Sequence, residues 1–309
     1  MTTLLIHDSL FQKHVMPQGH PERPARLEAI DQALSLPMFD ALKREGAAPG
    51  DLAMAELVHP GAHVRAIAAA RPSSGFHFFD ADTPMSPDSY DVALHALGSA
   101  VQAVDAVMTG EVANAFVAAR PPGHHAEKDT AMGFCFFNTI AVAARHAQQK
   151  YGVERVAIID WDVHHGNGTQ DIFWADKSVL FCSTHEMPLY PGTGAPGERG
   201  EHETIVNAPL RAGDDGKAFS DIFRSVILPR VRNHAPDLIL ISAGFDAHKR
   251  DPLANIQLDE NDFAWATEAL MEIAATRCKG RLVSLLEGGY DLQGLAGSVA
   301  NHVHRLMGA

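Results

Sequence analysis

Cysteine is scarce in this chain, with three in 309 residues, and Cys135, Cys182 and Cys278 show no paired spacing. That excludes a disulfide framework and leads us to expect reduced thiols in a cytoplasmic protein. Positive charge is also short: 25 Lys and Arg face 38 Asp and Glu, a net charge of -13. Such a balance argues against nucleic acid as a direct partner and mildly favours cationic ones. No apolar run approaches the roughly 18 residues needed to cross a bilayer, so no membrane association is expected. Met1 to His7 lacks both a basic region and a long apolar core, and is expected to be a first strand, not a signal peptide. Internal repeats, low-complexity tracts and linkers are absent, so one domain over residues 1–309 is expected.

Short apolar runs, in contrast, are plentiful. Ala113–Ala118, Val153–Ile159, Ser178–Cys182, Leu238–Ser242 and Leu282–Leu286 alternate with longer helical patterns. This predicts an α/β fold, a parallel sheet with helices on both faces. Ser86-Pro87-Asp88 reads as an N-cap, first-turn proline and acidic first turn for a helix carrying Ala93, Leu97, Val101, Val104 and Met108. Two long Gly- and Pro-bearing loops are expected, from His185 to about Glu203 and from Gly244 to about Leu258.

Polar residues with chemical potential cluster just after these runs. Ligands of open α/β sheets bind beyond the carboxyl ends of the strands. Here the run ending at Ala118 leads into Arg120-Pro-Pro-Gly-His124-His125, and the run ending at Ile159 into Asp160-Trp-Asp162-Val-His164-His165-Gly-Asn167-Gly168. Two further runs lead into Ala243-Gly-Phe-Asp246-Ala-His248 and Glu287-Gly-Gly-Tyr290. If residues 160–165 are extended, Asp160, Asp162 and His164 share one face and Trp161, Val163 and His165 the other. One carboxylate oxygen and one imidazole nitrogen then meet a single ion, a donor set that suits zinc or another borderline divalent ion. Hydrolysis at such a metal needs a base, an acid and an oxyanion donor. Asp162, His164 and Asp246 are the candidate ligands, His124-His125 the candidate proton handlers, and Tyr290 the candidate oxyanion donor.

These motifs, with Gly133-Phe134-Cys-Phe-Phe-Asn138, Tyr190-Pro-Gly-Thr-Gly194 and His20-Pro-Glu-Arg-Pro24, resemble the zinc-dependent histone deacetylase family over nearly the whole chain, most closely its class II and bacterial amidohydrolase members. The resemblance implies the arginase-deacetylase fold, a single-domain, mostly eight-stranded parallel sheet. It implies a zinc-dependent deacetylase that hydrolyses N-acyl amides, acting on acylated lysine in proteins or on an acylated small amine, and leaves a homo-oligomer open. It implies that Asp162, His164 and Asp246 bind zinc, that His125 is the principal base oriented by Asn167, and that His124 is its neighbour oriented by Asp160. Tyr290 would hydrogen-bond the acyl carbonyl, while Gly133, Phe134 and Tyr190 would shape the channel. Structural potassium is also implied: one site on Asp160, Asp162, His164, Ser183 and Thr184, a second on backbone oxygens of Phe173, Asp176 and Val179.

Three positions refine the carry-over. Class I relatives have Asp at Asn167, and most relatives have Phe at Tyr190. Leu253 stands where polyamine-selective relatives carry an acidic gatekeeper, which disfavours a polyamine substrate. Asp80 and Asp82 precede the helix near Ser86 and read first as solvated loop carboxylates, with contact to a substrate backbone or cationic group as the alternative. Two other readings remain: a binuclear manganese ureohydrolase, which wants more carboxylates than this set offers, and a catalytically silent acyl-ligand binding module, which should lack one of the groups that are intact here.

Overall fold

A computed structural model describes residues 2–308. Ten strands occur among them: β1 Thr3–His7, β2 Lys43–Glu45, β3 His77–Phe78, β4 Pro84–Met85, β5 Asn114–Ala118, β6 Val156–Asp160, β7 Val179–Ser183, β8 Ile205–Asn207, β9 Leu238–Ala243 and β10 Leu282–Leu286. Strands β3 and β4 form a small antiparallel hairpin; the other eight form one sheet in the order β2-β1-β5-β10-β9-β6-β7-β8. Every pairing in that sheet is parallel.

The four central strands, β5, β10, β9 and β6, are buried along their whole length. Buried on both faces, they carry nearly unbroken apolar runs, the pattern that makes them readable. The edges differ. β2 is the charged triplet Lys43-Arg44-Glu45, only partly buried, and β8 is three residues long. Short, charged edges discourage pairing with other chains.

Helices cover both faces as two packed groups: Ser89–Met108 with Thr139–Tyr151, and Ala25–Leu34 with Leu292–Leu306, which in turn packs on Glu260–Arg277. Asn138 caps the second of these by accepting from Ala141 N at 3.0 Å, and Gly152 ends it in the left-handed region at φ +67°. The expected start at Ser86 is corrected. The helix begins at Ser89 with Asp88 in the cap position and no side-chain cap bond. Ser86 Oγ instead pairs with Ser89 Oγ at 2.7 Å, and Ser86 N donates to Ser89 Oγ at 2.8 Å. Among the described residues no helix is long and apolar enough to cross a membrane.

Candidate metal centre and cleft

The central strands deliver the chemistry. β5, β10, β9 and β6 are consecutive in the sheet, so residues 119–125, 287–290, 244–248 and 161–168 emerge side by side from one edge. That adjacency gathers residues more than 100 positions apart in the chain.

Asp162, His164 and Asp246 are all buried, with one donor atom of each lying within 4.8 Å of the others. His164 Nδ1 faces both carboxylates, 3.2 Å from Asp162 Oδ1 and 3.1 Å from Asp246 Oδ2. Backbone N–H groups aim the carboxylates: Gly288 N donates to Asp162 Oδ2 at 2.8 Å, and Val163 N to Asp246 Oδ1 at 2.8 Å. A Cβ at Gly288 would stand 2.1 Å from Asp246 Oδ2, so only glycine admits this approach. Two buried carboxylates and an imidazole match the charge and donor type of a divalent cation.

The expected route to this convergence needs correction. β6 stops at Asp160, and residues 161–166 bend away from extended geometry. Asp162 and His164 meet because Asp160 Oδ1 accepts from Asp162 N at 3.1 Å and Asp162 Oδ1 accepts from His164 N at 2.9 Å. Side-chain turns of this kind replace the pleat as the organising device. His165 does face away, hydrogen-bonding Thr193 Oγ1 at 2.8 Å and Gln170 Oε1 at 3.1 Å.

His124 and His125 stack at 4.0 Å between ring centroids yet have opposite partners. His124 Nδ1 lies 2.9 Å from Asp160 Oδ2, whereas His125 Nδ1 lies 2.8 Å from Asn167 Oδ1. Burial disfavours charge on both. Asp160 and Asp162 overcome it for His124 and hold its pKa well above the usual imidazole range, so this ring carries the proton. His125 is hydrogen-bonded to an amide instead: burial, with the cations of His124 and His164 beside it, outweighs the Asp162 charge, pushes its pKa well below the usual range and keeps it neutral. Burial also opposes a charge on His164, but its bonds to Asp162 and Asp246 hold the pKa up at about 10. Burial and the Asp246 charge push the Tyr290 phenol well above its ordinary value, so it stays a donor.

A cleft of about 400 Å³ opens over these groups. All five expected lining residues, Asp82, Gly133, Phe134, Tyr190 and Leu253, border it, with His125, His164 and Tyr290 among the other lining groups. Gly133, at φ +57°, would place a Cβ 2.5 Å from the His125 ring, and Phe134 adopts φ +69° with its N–H on Thr83 Oγ1 at 3.0 Å. Leu189, Pro21 and His20 complete the rim, and nothing in the sequence marks them as cleft residues. A larger surface depression, about 540 Å³, lies on Arg224, Arg232 and Trp265 and gathers none of this chemistry.

Two supporting residues carry no sequence signal for their roles. Glu287, buried, accepts from Gly123 N at 2.7 Å and His124 N at 3.2 Å, so it seats the histidine pair. Arg26, also buried, donates to Gly289 O at 2.6 Å and Glu287 O at 2.5 Å and lies over the Tyr290 ring. The proposed potassium ligands fall in two places. Asp160 and Ser183 are paired across β6 and β7, next to Thr184, whose buried Oγ1 has no partner; Phe173, Asp176 and Val179 lie before and at the start of β7.

Fold and site together fit a hydrolase of the parallel-sheet class, with a buried Asp-His-Asp group that could hold a metal ion at the carboxyl edge of the strands. The histone deacetylase domain matches residues 20–306, and the chain belongs to that family. It is 43% identical to the protein slr0245 of Synechocystis, over 98% of this chain and 99% of that one. It is 38% identical to a probable deacetylase of Archaeoglobus fulgidus, over 95% of this chain and 83% of the relative. The crystal structure of the HDA15 HD domain superposes with a TM-score of 0.94 at 36% identity, covering 99% of this chain and 88% of that one. The protein is a deacetylase or amidohydrolase.

Proposed function

We propose that the protein is a zinc-dependent deacetylase of acyl-lysine side chains. The observation that carries this reading is the joint lining of one cleft by His164, the neutral His125 and Tyr290. Asp162, His164 and Asp246 would hold the zinc, which supplies Lewis acidity for the acyl carbonyl and for water. His125, kept neutral, takes the proton from the attacking water and returns it to the departing amine. Asn167 orients it: Nδ2 of Asn167 donates to Glu127 Oε1 at 2.8 Å, which turns Oδ1 toward His125 and fixes the proton on Nδ1, leaving Nε2 as the basic nitrogen. His124, protonated against Asp160, contributes positive charge beside the developing oxyanion, and Tyr290 donates its hydroxyl to that oxygen. Phe134 and Tyr190 would flank a slim aliphatic stem, and Asp82, which also lines the cleft, would accept the backbone N–H of a peptide. The potassium positions are retained as structural sites on the resemblance.

The test is kcat/KM of zinc-loaded protein on an acetyl-lysine peptide and on N-acetylputrescine, with Tyr290→Phe as control. Preference for the peptide is expected, and Tyr290→Phe should lower kcat by about 10²–10³-fold, the size of a lost oxyanion donor. Preference for the polyamine, or an unaffected control, would reject the reading. Leu253 borders the cleft without charge. Leu253→Glu should therefore move the peptide-to-polyamine ratio toward the diamine by about tenfold or more, as an added ion pair at a partly buried rim implies.

A further inference from the structure

Asp251 takes no part in the chemistry above, yet it ties two of the participating segments together. It lies in the loop after β9 and is 8% exposed. Its carboxylate accepts three backbone N–H groups: Oδ1 from Leu253 at 3.0 Å, Oδ2 from Tyr290 at 2.7 Å and from Asp291 at 3.3 Å. Among the described residues no Lys, Arg or His forms an ion pair with it. A buried carboxylate without a cation is costly, and three N–H donors are what offsets the cost here.

The receiving end explains the need. Tyr290 follows Gly288 and Gly289, and Gly289 sits at φ +119°, a region open to glycine and hardly to other residues. Glycine at 288 lets the backbone pass close to Asp246, and glycine at 289 packs closely against Leu295 and Phe245, but two successive glycines leave the phenol on a loose pivot. Arg26 restrains the pivot from one side by holding the carbonyls of Glu287 and Gly289. Asp251 restrains it from the other by holding the amides of Tyr290 and Asp291. An amide side chain could not replace it fully, since it offers one acceptor oxygen where three N–H groups converge on two.

We infer that Asp251 is a positioning residue for Tyr290: its carboxylate fixes the backbone from which the phenol reaches the acyl oxygen and, through the Leu253 N–H, also holds a second residue of the cleft lining. This rests on the proposed deacylase function. The experiment measures kcat and KM for the zinc-loaded wild type, Asp251→Ala, Asp251→Asn, Tyr290→Phe and the double variant Asp251→Ala/Tyr290→Phe. It adds amide hydrogen exchange of residues 288–292. Asp251→Ala should lower kcat by about 10–100-fold with KM near wild type, the scale of a small misplacement of a catalytic group, and Asp251→Asn should fall between. In the Tyr290→Phe background the same substitution should cost less than about twofold, because the two act as one unit. Exchange at 288–292 should quicken by about tenfold on loss of a charge-assisted bond of about 1.5 kcal/mol. Equal losses in both backgrounds, or unchanged exchange, would overturn the inference. A wild type that loads zinc but cleaves no acyl amide would sink the deacylase reading instead, while exchange would still decide whether Asp251 tethers the segment.

Discussion

Asp246→Asn is expected to lose zinc and turnover together while keeping its fold. The amide still accepts the Val163 N–H that Asp246 Oδ1 takes at 2.8 Å. It also relieves crowding: burial and the neighbouring Asp162 charge raise the Asp246 pKa, so the metal-free protein carries this carboxylate at a cost. Relief of the Asp162 repulsion and loss of the His164–Asp246 charge pair act in opposite directions, so the metal-free variant should stay folded with a Tm near that of metal-free wild type, whereas the stabilisation on adding zinc, about 2.7 kcal/mol at a hundredfold excess over Kd and read as a rise in Tm, should vanish. Activity should fall by more than the roughly 10–100-fold that accompanies loss of an outer partner of a metal ligand. On the proposed zinc site, binding to the wild type would have to displace the proton that Asp162 and Asp246 hold on His164 with a pKa of about 10. Below that pKa binding releases a proton, so zinc Kd should fall as pH rises, about tenfold per unit for one proton. Calorimetric titration in two buffers of different ionisation enthalpy measures the release; a pH-independent Kd would contradict the arrangement.

What could be read in advance tracks how each feature is encoded. The central strands are buried on both faces and so announce themselves as apolar runs, and the residues after them are too polar for their neighbourhood to pass as packing. β2 and β8 leave no such trace, because a charged or three-residue strand has no periodicity to detect. Residue type alone points to the three candidate ligands that the structure brings together, while the extended geometry expected of them does not hold: alternation along a strand and a succession of side-chain turns both bring Asp162 and His164 together. Arg26, Glu287 and Asp251 show the deeper limit. Each acts by hydrogen-bonding backbone groups on a distant segment, 263, 164 and 39 positions away, and backbone partners leave no mark in the residues that receive them.

The histidine pair gives the second large effect. His125→Ala should lower kcat by about 10²–10⁴-fold, the usual contribution of a positioned general base, and His124→Ala should cost less, since that ring is already protonated and contributes charge, not proton acceptance. The asymmetry depends on the partners. Burial and the His124 cation keep His125 neutral, and Asn167 holds the ring without offering it a negative charge. Asn167→Asp therefore supplies the opposite charge that this partner lacks, which favours the imidazolium and raises the pKa. Because the base must be neutral to act, the acid limb of kcat/KM against pH should move to higher pH in Asn167→Asp, with the rate at the plateau largely kept. An acid limb that stays in place, or one that moves instead in a His124 variant, would transfer the role of base from His125 to its neighbour. The profile distinguishes the two rings because their environments are opposite: one is paired with a carboxylate, and the other is held by an amide whose orientation Glu127 fixes.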